Sequence, residues 1–157
     1  MIQKGLYLLG IRHYKGRAID LWQGPSEDFC SDLMIRVEVG SPVSEKTDLK
    51  DHEGIQDFID VQYQSWSELN PETLRDWMDN AGQKNYRHVC FEWFVSADHC
   101  TSQAIRNVYE MIRVLIDQGR PESDSVRRMT SILKTGKDYE LFRDEMLKTF
   151  PGPESAS

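Results

Sequence analysis

Residues 86–116 constrain this chain most. Tyr86-Arg87-His88-Val89-Cys90-Phe91-Glu92-Trp93-Phe94-Val95 is followed by Ser96-Ala97-Asp98-His99-Cys100-Thr101 and a long amphipathic run. Val89, Phe91, Trp93 and Val95 alternate with Cys90 and Phe94, so both faces of the segment are apolar. A strand of that kind is covered on both sides and sits centrally in a sheet. Ala104, Ile105, Val108, Met111, Ile112, Leu115 and Ile116 then recur at three- and four-residue spacing, the pattern of a helix packed on one face. Strand, polar loop and packed helix in succession predict an α/β fold, and place residues 96–101 where ligands sit in open α/β sheets.

The remaining elements extend that scheme. Residues 5–13 and 17–23 read as a strand pair turned by Tyr14-Lys15-Gly16. Leu33–Val39 is a third strand, ended by Gly40-Ser41-Pro42. Residues 40–57 are polar and aperiodic, and read as a long loop. Phe58–Tyr63 fits a short strand or a helical turn equally well. Asn70-Pro71-Glu72 starts a helix: Asn caps, Pro fits the first position, and the acid meets the positive end of the helix dipole. Leu74, Trp77, Met78 and Ala81 mark its packed face, and Gly82 stops it. Met129–Leu133 is a further strand, with Gly136 leading to a last helix from Asp138 whose stripe is Tyr139, Phe142, Met146 and Phe150. Strands first and then α-β-α-β-α predict a three-layer α/β/α domain with a mixed sheet over residues 1–150. Residues 151–157 read as a flexible tail.

Charge and composition exclude more than they assign. The chain has 157 residues and a net charge of −7. Residues 26–80 hold fourteen acids against four bases, while residues 1–25 are +3. The acidic segment would repel a phosphate backbone, which disfavours nucleic acid as the main partner. A basic protein partner fits it, and so does a simple solubilising surface. No run approaches the roughly 18 apolar residues of a membrane helix. The first residues make a poor signal peptide and a good strand, so the expected location is cytoplasmic. Cys30, Cys90 and Cys100 are odd in number and show no C-x-x-C spacing, which argues against a disulfide framework or structural zinc. His13, His52, His88 and His99 lack metal-ligand spacing. No metal and no cofactor are expected.

Two sheet-end loops are the candidate ligand contacts. Backbone N–H groups of the Ser96–Thr101 loop and the following helix can hold an anion; Ser96 and Thr101 add hydroxyls, and Asp98 and His99 can transfer protons. Against this, the loop has no glycine, and Asp98 places a negative charge where a phosphate would sit. Asp98 or Thr101 can equally be a plain helix cap. Gly24-Pro25-Ser26-Glu27-Asp28 is either a wall of the same cleft or a turn. His99 and Cys100 are adjacent and lack a third orienting group, so a cysteine nucleophile is not supported. Cys90 reads as a buried small hydrophobe. Trp66, in a polar context, is the best candidate for an exposed aromatic; it either anchors a partner or packs over the sheet edge.

Three segments resemble the macrodomain family, whose active members bind ADP-ribose. Ala18-Ile19-Asp20-Leu21-Trp22-Gln23-Gly24 resembles the family's second strand and its Gly-Asp end. Leu74 through Val95, including Arg87-His88-Val89-Cys90-Phe91, resembles its helix and central strand. Val126 to Leu147, including Tyr139-Glu140-Leu141-Phe142, resembles its last strand and helix. The resemblance implies a macrodomain-like fold and a nucleotide-type ligand at Gly24, Ser96, Ala97, Asp98, His99 and Thr101. It also implies altered or lost affinity, because Pro25 stands where the family has an acid. Gly40-Ser41-Pro42-Val43 replaces the Asn-rich segment, and Ala97 follows Ser96 without a glycine. Hydrolase activity is not implied. The alternative is an acidic interaction module of inhibitor or immunity type, using residues 41–70 with Tyr63 and Trp66. An enzyme using Asp98, His99 and Glu92 is a third reading.

Overall fold

The structure is a computed structural model, and it describes residues 6–25, 29–40, 54–134 and 138–152. The expected turn at Ser26–Asp28, the loop over residues 41–53, Gly136 and most of the tail lie outside the described residues. Among the described residues, six strands and three helices follow one another as β1 (Tyr7–Tyr14), β2 (Arg17–Gln23), β3 (Ser31–Val39), β4 (Ile55–Tyr63), α1 (Pro71–Gln83), β5 (His88–Val95), α2 (Ser102–Asp117), β6 (Arg128–Leu133) and α3 (Tyr139–Thr149).

The strands form one sheet in the order β1-β2-β6-β5-β3-β4. Only β1 runs antiparallel to its neighbour; the other pairings are parallel. The sheet is therefore mixed, as expected. The β1–β2 turn uses Lys15 at φ 48° and Gly16 at φ 79°. Two successive left-handed residues match the twist of a hairpin.

The undecided segment Phe58–Tyr63 is a strand, and the loop expected through residue 57 ends sooner, since Ile55, Gln56 and Asp57 already belong to β4. The reason is position. β4 is the last strand of the sheet and pairs only with β3 among the described residues. An edge strand keeps polar residues toward water, so Gln56, Asp57, Asp60 and Gln62 hide the alternation.

All three helices lie on one face of the sheet. Trp77 of α1 meets Phe91 with ring centroids 6.3 Å apart, and Phe142 of α3 meets Trp93 at 6.2 Å. Ile105, Val108, Tyr109 and Ile112 of α2 join the same buried cluster as Val37, Val89 and Met129. The opposite face holds a second buried cluster of Phe29, Met34, Ile55, Cys90 and Ile132. Burial on both faces is what a three-layer arrangement requires, and it makes β5 the doubly covered strand that its composition predicts.

The second face also buries charge. Arg36 on β3 donates from Nε to Glu92 Oε1 on β5 at 2.6 Å, between the rings of Phe58 and Phe94. Nearer β2, Asp20 accepts from Trp22 Nε1 at 2.8 Å, from Arg128 Nε and Nη2 at 3.0 and 2.7 Å, and from Thr130 Oγ1 at 2.7 Å. A carboxylate with that many donors is a satisfied structural anchor.

Candidate functional site at the sheet end

The chain leaves β3 toward β4 on one side, and leaves β5 toward β6 on the other. Strand order thus reverses between β3 and β5, and the crevice outside their C-terminal ends is the topological switch point of the sheet. The Ser96–Thr101 loop stands at that point. Its backbone continues the sheet by one bond, Ser96 N–H to Val39 C=O at 3.0 Å, and Gly40 N–H does the same toward Tyr63 C=O at 2.9 Å.

Gly40 decides how close the loops come. Its φ is 95°, a left-handed value that side chains resist, and a Cβ there would lie 2.0 Å from Ser96 Oγ and 2.8 Å from His99 Cδ2. Only glycine lets the β5 loop press onto the end of β3. The sequence reading used Gly40 solely as a strand terminator. A glycine directly after a strand buried along its length was the signal for this contact.

Ser96, Ala97, Asp98 and His99 form a single tight turn. His99 N–H donates to Ser96 C=O at 2.9 Å, and Cys100 N–H to Ala97 C=O at 3.3 Å. Ser96 Oγ donates to Asp98 Oδ1 at 2.9 Å. That hydrogen bond holds the Asp98 carboxyl below the usual carboxylate range, with a smaller effect from its own backbone N–H. Asp98 is 82% exposed and its Oδ2 lies 3.9 Å from His99 Nε2. The helix cap is Thr101, whose Oγ1 accepts from Ala104 N–H at 3.2 Å. Asp98 therefore stays outside the cap and faces solvent as an anion.

Trp66 closes the loop from the β4 side. Its indole Nε1 donates to His99 C=O at 2.7 Å, and its ring lies 5.9 Å from that of Trp93. Of the two expectations for Trp66, an exposed anchor or packing at the sheet edge, the structure has it partly buried, held by this long-range bond and the Trp93 contact. Tyr63, also partly buried, sits at the end of β4, where burial and then the Glu68 charge push its hydroxyl pKa upward.

The other candidates lie elsewhere. Gly24 ends β2 with φ 143° and donates from its N–H to Leu133 C=O at 2.9 Å. It shares the sheet end with Ser96, yet β6 stands between β2 and β5. Glu92 is buried against Arg36 on the second face, away from Asp98 and His99. Cys90 is fully buried, and burial pushes its thiol pKa well up, so it is an inert hydrophobe. Among the described residues no group of three His, Cys, Asp or Glu is placed to hold a metal. No described helix is long and apolar enough to cross a membrane.

The turn offers hydroxyl, carboxylate and imidazole groups beside the N-terminus of α2, whose first-turn N–H groups have no intrahelical partners. It can bind polar groups.

No family model matches this chain, and no curated protein matches it. Two solved structures of the Oceanobacillus iheyensis macrodomain, one described with MES bound and one with ADP, are similar to it at 10% identity and a TM-score of 0.48. Each covers 91% of this chain, and the matches span 97% and 96% of those chains respectively.

Proposed function

We propose that this protein is a ligand-binding module that takes a nucleotide-type small molecule in the crevice between the ends of β3 and β5. The observation that carries this reading is the reversal of strand order at the strand pair followed by Gly40 and the Ser96–Thr101 turn. Ser96, Asp98, His99 and the first turn of α2 then supply the polar contacts, and Trp66 braces the turn from behind. Asp98, held ionised by Ser96, repels a phosphate and accepts from sugar hydroxyls, so the ligand's sugar rather than its phosphate belongs against it.

Calorimetric titration of ADP-ribose, the ligand class implied by the sequence resemblance, tests this. Micromolar binding that weakens in Asp98→Ala supports a sugar contact at this turn; tighter binding places a phosphate there instead. No heat at millimolar ligand sinks the reading.

A second reading, a module for a basic protein partner, is favoured by a groove between α1 and α2. The groove has a volume of about 350 Å³, with Met111, Val114 and Leu115 along it and Glu72 and Glu110 among its lining residues. A neighbouring hollow of about 280 Å³ begins at Trp66 and Leu69. NMR titration with a synthetic Lys-rich amphipathic helix tests it: shifts confined to α1 and α2 support the reading, and shifts scattered over the acidic surface reject it.

A further inference from the structure

We propose that β1 is a self-pairing edge: two copies of this chain join by antiparallel β1–β1 contact about a two-fold axis, merging two six-stranded sheets into one.

β1 lies at the end of the sheet, and among the described residues it pairs only with β2. Among the described residues its outer side therefore offers a row of backbone N–H and C=O groups. Edge strands are normally guarded by charge or proline. β1 instead carries Tyr7, Leu8 and Ile11, exposed by 57%, 49% and 39%; the other large exposed hydrophobic among the described residues is Val114 on α2.

The register of β1 makes this apolar edge complementary to itself. An irregularity between Leu8 and Gly10 sets Leu8 opposite Trp22 and Ile11 opposite Asp20, so both point to the second face of the sheet. Tyr7 opposite Gln23 and Arg12 opposite Ile19 point to the helix face. A two-fold axis between Leu9 and Gly10 brings Leu8 against Ile11 of the second copy, and Tyr7 against Arg12 of the second copy. Each contact is made twice, as a closed two-fold interface requires.

Arg12 supplies a separate reason for a partner. Its Nε is buried without a hydrogen-bond partner, and Nη1 donates only to the neighbouring Ile11 C=O at 3.1 Å. The Tyr7 ring of the second copy gives the guanidinium an aromatic face. The two Arg12 side chains stay about 16 Å apart, at roughly 3.3 Å for each of five residue steps.

Charge disfavours the other edge. Each copy is −7, but residues 1–25 carry +3 and the excess acid falls in residues 26–80. The β4 edge bears Asp57 and Asp60. Pairing through β1 keeps those acidic edges at the far ends of the joined sheet.

Analytical ultracentrifugation of the full chain over a micromolar concentration series tests the proposal. The mass is expected to rise from 18.3 kDa toward twice that value. Ile11→Lys should weaken association about tenfold or more, with an unchanged urea midpoint at dilutions where both proteins are monomeric, while Val114→Lys should leave association intact. Amide exchange of β1 should slow as concentration rises. A single 18.3 kDa species throughout overturns the proposal. So does a dimer that survives Ile11→Lys or dissociates with Val114→Lys.

Discussion

Lowering the pH from 7 to 5 should cost this protein about 2 kcal/mol of stability through His88. The ring sits at the start of β5 with Nε2 2.8 Å from Thr130 Oγ1. Thr130 gives its own proton to Asp20 Oδ1, which can only accept, so the His88 Nε2–H donates to Thr130. Burial, followed by the nearby Arg128 charge, lowers the His88 pKa from 6.5 to about 4. The unfolded chain therefore binds the proton in a window where the folded chain does not. Stability from this group is complete above pH 6.5 and falls as the pH drops toward 4. At 1.36 kcal/mol per unit of full separation, titration between pH 7 and 5 amounts to about 2 kcal/mol. Urea unfolding at pH 7, 6 and 5 measures it, with His88→Gln as the control that keeps a hydrogen-bonding side chain but removes the titration. The variant's loss over this range should be smaller by about that amount. Equal losses in the two proteins would refute the placement of His88 as a buried neutral ring.

Three further outcomes follow from the geometry. Gly40→Ala should cost about 1–3 kcal/mol in urea unfolding, because its φ is left-handed and its Cβ would meet Ser96 Oγ. Arg36→Met should cost about 3–5 kcal/mol by leaving Glu92 buried without its guanidinium, whereas Arg36→Met with Glu92→Leu should recover much of that loss. Trp66→Phe should remove the bond to His99 C=O, cost about 1 kcal/mol, and speed amide exchange at His99 and Cys100 while leaving the amides of β5 unchanged.

The elements that sequence alone determined are those whose own side chains report their surroundings. β5 is apolar on both faces wherever it sits in a sheet, and α2 shows its buried stripe at helical spacing. Asn70 caps α1 by accepting from Thr73 N–H at 2.9 Å, as the Asn-Pro-Glu signal predicts. Thr101 caps α2 in the way its hydroxyl allows, one of the two capping residues left open. From these local signals the α/β class and the place of the Ser96–Thr101 turn followed.

Tertiary structure alone decided the strand order, and with it which loops share the switch point. Nothing in the local pattern of residues 31–39 says that β3 lies between β4 and β5. That neighbourhood brings Gly40 against Ser96 and separates Gly24 from both. It also turned Trp66 inward, because its partners His99 and Trp93 lie about thirty residues away in sequence. Asp20, Arg36 and Glu92 were missed as buried residues for the same reason. A charged side chain reads as a surface residue until its partners, on strands far apart in the chain, are brought within hydrogen-bonding distance.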